Sequence, residues 1–259
     1  MEINFKDKVV IVTGGAQGIG SVIAKSFLYE DAHVAIWDND IKKLQETFKE
    51  LSKDFKNLII CECDISDEKS VKFAMSKTLE AFNKVDVLIA NAGIAIPNRF
   101  ENISSDEWSK VFDINTKGTF ICAREASKEM KKQNSGRIII ASSFAAIIPS
   151  AEMASYSASK AALISLARVL AAELGQWNIT VNSYAPGMIP TNMSDIDNLS
   201  KSRKEEMLDT LSIREWGRKE DIASLLLFLA SDYARYITGT NIDASGGKFA
   251  VQFGALARN

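Results

Sequence analysis

Long apolar runs are missing from this chain. The longest, such as LLLFLA at 225–230, fall far short of what a bilayer requires. The amino terminus, MEINFKDK, has no apolar core of the signal-peptide kind, so a cytoplasmic protein is expected. An excess of charge is missing too: the net charge is −2, and neither nucleic acid nor an anionic membrane is an expected partner. Cysteine is scarce. Cys61 and Cys63 stand too close for an ordinary structural bridge, and Cys122 is the only other thiol. Histidine is scarcer still. The one residue, His33, lies far in sequence from Cys61-Glu62-Cys63, so no metal site is expected. The three thiols read as free, mostly buried side chains of a reducing compartment. His33 reads as the start of a strand, with no catalytic role. Repeats, low-complexity tracts and Pro/Gly/Ser linkers are absent as well, which leaves one domain over 1–259.

What the sequence does have is alternation. Short apolar, β-rich runs occur at 8–14 (KVVIVTG), 33–38, 57–64, 85–93, 136–143 and 179–187, with a last one at 240–243. Helix-like stretches fall between them near 18–30, 40–54, 67–82, 104–133, 155–175 and 219–230. Strands that are apolar throughout, alternating with helices, predict an α/β fold: a doubly wound parallel sheet of about seven strands with helices on both faces. Ligands of such sheets sit beyond the carboxyl ends of the strands, and these strands end in small or polar residues.

TGGAQGIG at 13–20 follows the first strand and opens the first helix. Gly14, Gly18 and Gly20 have a wider spacing than G-x-G-x-x-G, but the physics is shared. Glycines permit a tight turn and close approach of a pyrophosphate, and the helix amides point at its charge. Asp38 ends the second strand about 20 residues on, where a carboxylate can accept both adenosine ribose hydroxyls and repel a 2′-phosphate. Neither Gln17 nor Asn39 supplies a cation there, so NAD is the expected cofactor rather than NADP. Asp38 could equally cap the following helix. Asp64 could cap a helix or hold the adenine amino group, and Ile65 beside it is expected to touch the cofactor.

TGxxxGIG at 13–20, NAG at 91–93, Asn115, Ser143, Y-x-x-x-K at 156–160 and PGMIPT at 186–191 together resemble the short-chain dehydrogenase/reductase family over essentially the whole chain. The resemblance implies a Rossmann-like sheet and hydride transfer between a nicotinamide and a secondary alcohol or ketone. It implies a catalytic set of Asn115, Ser143, Tyr156 and Lys160. Ser143, with Ser142 as second choice, would orient the substrate oxygen. Asn115 would distort its helix and hold a water linking Lys160 to solvent. Cofactor contacts would come from Gly14, Gln17, Gly18, Ile19 and Gly20, from Asn91, Ala92 and Gly93, and from Tyr156 and Lys160. Pro186, Gly187, Ile189 and Thr191 would complete them, the last two holding the carboxamide.

The Tyr156–Lys160 spacing has its own logic. A phenol with a pKa of about 10 is a poor base at neutral pH. An ammonium one helical turn away favours phenolate, so Lys160 is expected to lower the pKa of Tyr156 and to anchor the nicotinamide ribose. Polyols or sugars are the first substrate expectation, with hydroxysteroids and 3-oxoacyl thioesters open. The alternative functions are a catalytically silent dinucleotide-binding redox sensor and a nucleotide-sugar epimerase. The segment 188–216 suits a substrate lid, whereas 246–259 receives no function. The helices at 104–133 and 155–175 are apolar around much of their circumference, which points to a second buried face in a homo-oligomer, and the resemblance implies a homotetramer; Ala167 is taken to lie on the outer face.

Overall fold

The computed structural model describes residues 3–250 apart from Asn192 and Asp195; part of the expected lid and most of the 246–259 tail therefore lie outside the described residues. Seven strands form one parallel sheet in the order β3-β2-β1-β4-β5-β6-β7. They are β1 (Val9–Thr13), β2 (His33–Asp38), β3 (Leu58–Glu62), β4 (Val87–Ala90), β5 (Gly136–Ala141), β6 (Ile179–Pro186) and β7 (Asn241–Ala244). The central strands are apolar on both sides because both faces are covered. Val10, Val12, Val34 and Ile36 point into one core with α1 (Gly18–Tyr29), α2 (Ile41–Leu51) and α8 (Lys219–Ala230). Ile11, Ala35 and Trp37 point into the other with α3 (Glu68–Phe82), α5 (Thr119–Lys132) and α6 (Ala154–Leu174). Each fully buried Val or Ile side chain contributes roughly 1.5–3 kcal/mol. The strand order reverses between β1 and β4, which opens a crevice at their carboxyl ends.

Two expectations are corrected. The stretch 104–133 is not one regular helix. It comprises α4 (Ser105–Phe112), capped by a reciprocal Ser104–Glu107 pair, then a π-helical turn over Asp113–Gly118, then α5. The π turn carries Asn115 inward, and its side-chain bonds to neighbouring segments compensate for the irregular ladder. Ala167 is the second correction. It is 1% exposed and packs in the sheet-facing core, so the outward face of α6 is carried by others, among them Ser165, Val169 and Ala172. Apolar residues surround α6, and periodicity alone cannot say which of them meet the sheet.

The thiols are buried and free, as expected. Burial pushes Cys61 up to about 11 and Cys63 up to about 12, and raises Cys122 as well. No group of His, Cys, Asp and Glu among the described residues could hold a metal ion. The segment 188–216 contains a short 3-10 turn (Ile196–Asn198) and α7 (Lys201–Asp209). Its buried Met188, Ile196 and Leu211 gather Phe144, Leu199, Met207, Leu208 and Trp216 into a small satellite core.

Candidate active site

A cleft of about 510 Å³ opens where the strand order reverses. Its floor is the glycine turn between β1 and α1. Gly14 and Gly18 have φ of +64° and +62°, the left-handed region that favours glycine. A Cβ on Gly14 would lie 2.8 Å from the Ala92 Cα, so only glycine lets the two loops approach this closely. Asn91 locks them together. Its Nδ2 donates to the carbonyls of Thr13 (3.1 Å) and Gly14 (3.2 Å), and its backbone N–H donates to Thr13 Oγ1. At the start of α1, Gln17 makes no side-chain cap. The first-turn amides are thereby left for an anion, and the floor fits a dinucleotide pyrophosphate.

At the β2 side of the cleft stands Asp38. Its Oδ2 accepts from Ala16 N and its Oδ1 from Asp40 N, both at 3.0 Å, so the carboxylate is aimed and immobilised. It does not cap α2. Asp40 does, accepting from Lys43 N. Asp64 likewise leaves the capping of α3 to Asp67 and accepts from Ser66, beside Ile65 and Cys63 on the cleft wall.

The opposite end carries the polar set. Lys160 is 4% exposed, and its Nζ donates to the Ala141 carbonyl at 2.8 Å. Burial pushes its pKa down to about 8. The ammonium lies 5.9 Å from the centre of the Tyr156 ring. The pKa of Tyr156 is nevertheless raised, against the expectation from the spacing: burial is the larger influence, and a hydrogen bond with Ser143 opposes it. Ser143 ends the β5 segment and accepts from Ala145 N at 3.1 Å, which fixes its rotamer. Ser142 lines the cleft, which Ser143 does not, and donates to the Lys160 carbonyl. Asn115 is fully buried, with Oδ1 accepting from Ile94 N and Nδ2 donating to Ile94 O and Ser159 Oγ. It therefore holds the Ile94 loop against α6. A Cβ on Gly93 would lie 3.1 Å from both Asn115 Oδ1 and Lys160 Nζ, so this glycine is where the two polar side chains meet.

Gly14, Gln17, Gly18, Ile19, Gly20, Asp38, Asp64, Ile65, Asn91, Ala92, Gly93, Tyr156, Lys160, Pro186 and Thr191 all line the cleft. Gly187 and Ile189 sit behind it. The first is pressed against Ser245, where a Cβ would meet the Ser245 Cα at 2.5 Å, and the second has its side chain in the core. The Thr191 hydroxyl accepts from Ser194 N. Met193, inside the expected 188–216 segment, lines the cleft with Ile94; the sequence reading missed Tyr184, whose hydroxyl donates to Asn91 Oδ1 at 3.3 Å, and also Ile114 and Lys219 on the cleft wall. No motif marks them; only the fold brings them in.

A family model described as enoyl-(acyl carrier protein) reductase matches residues 14–248. The chain belongs to the short-chain dehydrogenase/reductase family. Among its relatives, a 3-oxoacyl-[acyl-carrier-protein] reductase FabG of Staphylococcus aureus is 36% identical over 243 residues, covering 93% of this chain and 98% of the relative. The FabG of Chlamydia pneumoniae is 36% identical, covering 95% and 99%. A crystal structure from Sinorhizobium meliloti 1021, named as a short-chain alcohol dehydrogenase, superposes with a TM-score of 0.91 at 30% identity, covering 95% of this chain and 98% of that one. As a family member, the chain is an oxidoreductase with a nicotinamide dinucleotide cofactor, and its sheet is the Rossmann-like one the strand pattern predicts.

Proposed function

We propose that the chain is an NAD-dependent oxidoreductase interconverting a secondary alcohol and a ketone. The observation that carries this reading is the placement of Tyr156 and Lys160 on the wall of a glycine-floored cleft, with Ser143 hydrogen-bonded to Tyr156. When bound, the nicotinamide accepts or supplies the hydride. In reduction, the Tyr156 hydroxyl gives its proton to the substrate oxygen while Ser143 donates a hydrogen bond to the same oxygen. In oxidation the proton returns to Tyr156. Lys160 holds the nicotinamide ribose and keeps a positive charge near the phenol, and Asn115 fixes the loop and helix that carry the set. A panel of alcohols and ketones, followed through NADH absorbance, tests this. Absence of turnover on every compound, with dinucleotide binding intact, would favour the silent-sensor reading.

For the substrate, 3-oxoacyl thioesters move ahead of polyols and sugars. The names of the FabG relatives support this class. So does the apolar character of the cleft mouth, with Ile94, Ile114 and Met193 on its wall. A polyol would leave such surfaces unmatched. Residues 188–216 serve as the lid over this mouth, in a protein we assign to the cytoplasm, where its free thiols stay reduced.

The choice of NAD rests on Asp38. A 2′-phosphate would meet a fixed carboxylate with no cation among its cleft neighbours Asn39, Cys63 and Asp64. Asp38→Ala combined with Asn39→Arg is expected to weaken NADH and tighten NADPH, each by about ten-fold, because a like charge goes and a phosphate fork arrives. Titrations of both dinucleotides check it. Equal affinities in the unmutated chain would refute the assignment.

A homotetramer is proposed from the outward apolar faces. Val169 on α6 is 51% exposed, and Trp108 and Phe120, on α4 and α5, are 39% and 41% exposed, with Trp108 stacked on Phe112 at 5.0 Å. Val169→Glu is expected to dissociate the assembly, since a buried, unpaired carboxylate costs several kcal/mol. Light scattering of the unmutated chain as an active monomer at micromolar concentration would reject the tetramer.

A further inference from the structure

Lys219 is the first residue of α8 and lines the cleft. A lysine there lies at the positive end of the helix dipole, an unfavourable place unless an anion is near. Glu220 and Asp221 share its turn, but Lys219 is paired with neither, Asp221 being engaged by Arg218. Among the described residues Lys219 makes no ion pair or hydrogen bond, whereas neighbouring guanidinium groups are engaged, Arg218 with Asp221 and Arg214 with Asp209, each at 2.8 Å. Lys219 is also partly buried rather than fully solvated.

Its position follows from two close contacts. Gly217 N donates to the Met188 carbonyl at 3.1 Å, which ties the approach to α8 to the segment after β6. That segment reaches Thr191, whose methyl lies 3.9 Å from where a Cβ on Gly18 would be. The starts of α8 and α1 therefore meet across Thr191, and the two helices pack against each other. Asp38 ends β2 on the other side of α1, away from β5, against which α8 also packs. The two helix N-termini thus lie near Thr191 on the Gly18 side of the cleft, and Lys219, unpaired among the described residues, lines the same cleft away from Asp38.

We propose that Lys219 is a binding residue for the pyrophosphate of the dinucleotide, supplying a formal positive charge that the glycine turn, made of backbone dipoles, lacks. The proposal rests on the dinucleotide reading above. It also separates two tasks: Asp38 discriminates at the ribose, while Lys219 contributes affinity shared by any dinucleotide.

The test uses ligands without a nicotinamide, so that no turnover enters the readout. Dissociation constants of ADP-ribose and of adenosine are measured by calorimetry for the unmutated chain, Lys219→Gln and Lys219→Arg, at low and high ionic strength. Lys219→Gln is expected to weaken ADP-ribose about five-fold at low ionic strength, with a smaller loss at high salt. Lys219→Arg is expected to bind as the unmutated chain does, and adenosine to be unaffected by either change. Equal ADP-ribose affinity in the unmutated chain and Lys219→Gln overturns the proposal, as does an equal loss for adenosine, which would mark a structural defect. If the unmutated chain binds neither NADH nor ADP-ribose, the dinucleotide reading fails with it.

Discussion

Replacing Tyr156 with phenylalanine is expected to lower turnover by about 10²–10⁴-fold, the usual contribution of a positioned general acid–base group, while dinucleotide affinity stays nearly unchanged. The substitution removes one oxygen. The ring keeps its volume on α6, and Ser143, which loses a partner, still accepts from Ala145 N. No buried group is orphaned, so the variant should fold and melt close to the unmutated protein. The pH profile should change with the rate. In the unmutated chain burial raises the pKa of the phenol, so oxidation of an alcohol should accelerate as pH climbs toward the phenol's ionisation. The residual rate of Tyr156→Phe should lose that dependence. Turnover within a few-fold of the unmutated chain would remove Tyr156 from the chemistry. Intact binding with lost turnover would also separate an enzyme from a redox sensor, because a sensor has no turnover to lose.

The sheet was legible in the sequence because parallel strands buried on both faces must be apolar throughout, and β1, VVIVT, is buried at every position. The chemical end was legible for a topological reason: ligands of such sheets lie beyond strand carboxyl ends, and Thr13, Asp38, Asn91 and Ser143 stand at or just past four of them. Three kinds of fact were not legible. Helical phase was one: Ala167 and Ala172 both look suited to a close helix contact, but only the first meets the sheet. Long-range convergence was another. Tyr184 reaches Asn91 across 93 positions, and Lys219 arrives from beyond the 188–216 segment. The third was the balance between opposing electrostatic effects. The i, i+4 spacing of Tyr156 and Lys160 indicates attraction between ammonium and phenolate but says nothing about how deeply both are buried, and burial wins for each.

That balance leads to the second large effect, at Lys160. Substituting methionine, which fills a similar volume without charge, is expected to reduce kcat/KM by about 100-fold or more, since in the proposed mechanism one group both holds the ribose and supplies the positive field. Its effect on stability should depend on pH in a defined direction. In the folded chain the Lys160 ammonium loses its proton near pH 8, against an ordinary value of 10.5. At pH 7 the group is charged in both folded and unfolded chains, and the cost of burying that charge is present in full. Between pH 8 and pH 10.5 the folded chain releases the proton first, so the unfolded chain holds more protons and stability rises with pH. Methionine has no such term. The stability of the unmutated chain relative to Lys160→Met should therefore grow across this window, by at most about 3 kcal/mol for a shift of this size. Other titrating groups occur in both proteins and largely cancel in the difference. At pH 7 the sign depends on two opposed terms: methionine relieves the buried charge, but it leaves the Ala141 carbonyl without its 2.8 Å partner, which costs about 1–3 kcal/mol. Urea unfolding of both proteins at pH 7 and at pH 10 measures the change. A difference that stays flat or narrows as pH rises would mean that Lys160 keeps its proton in the folded chain, held by interactions strong enough to offset its burial.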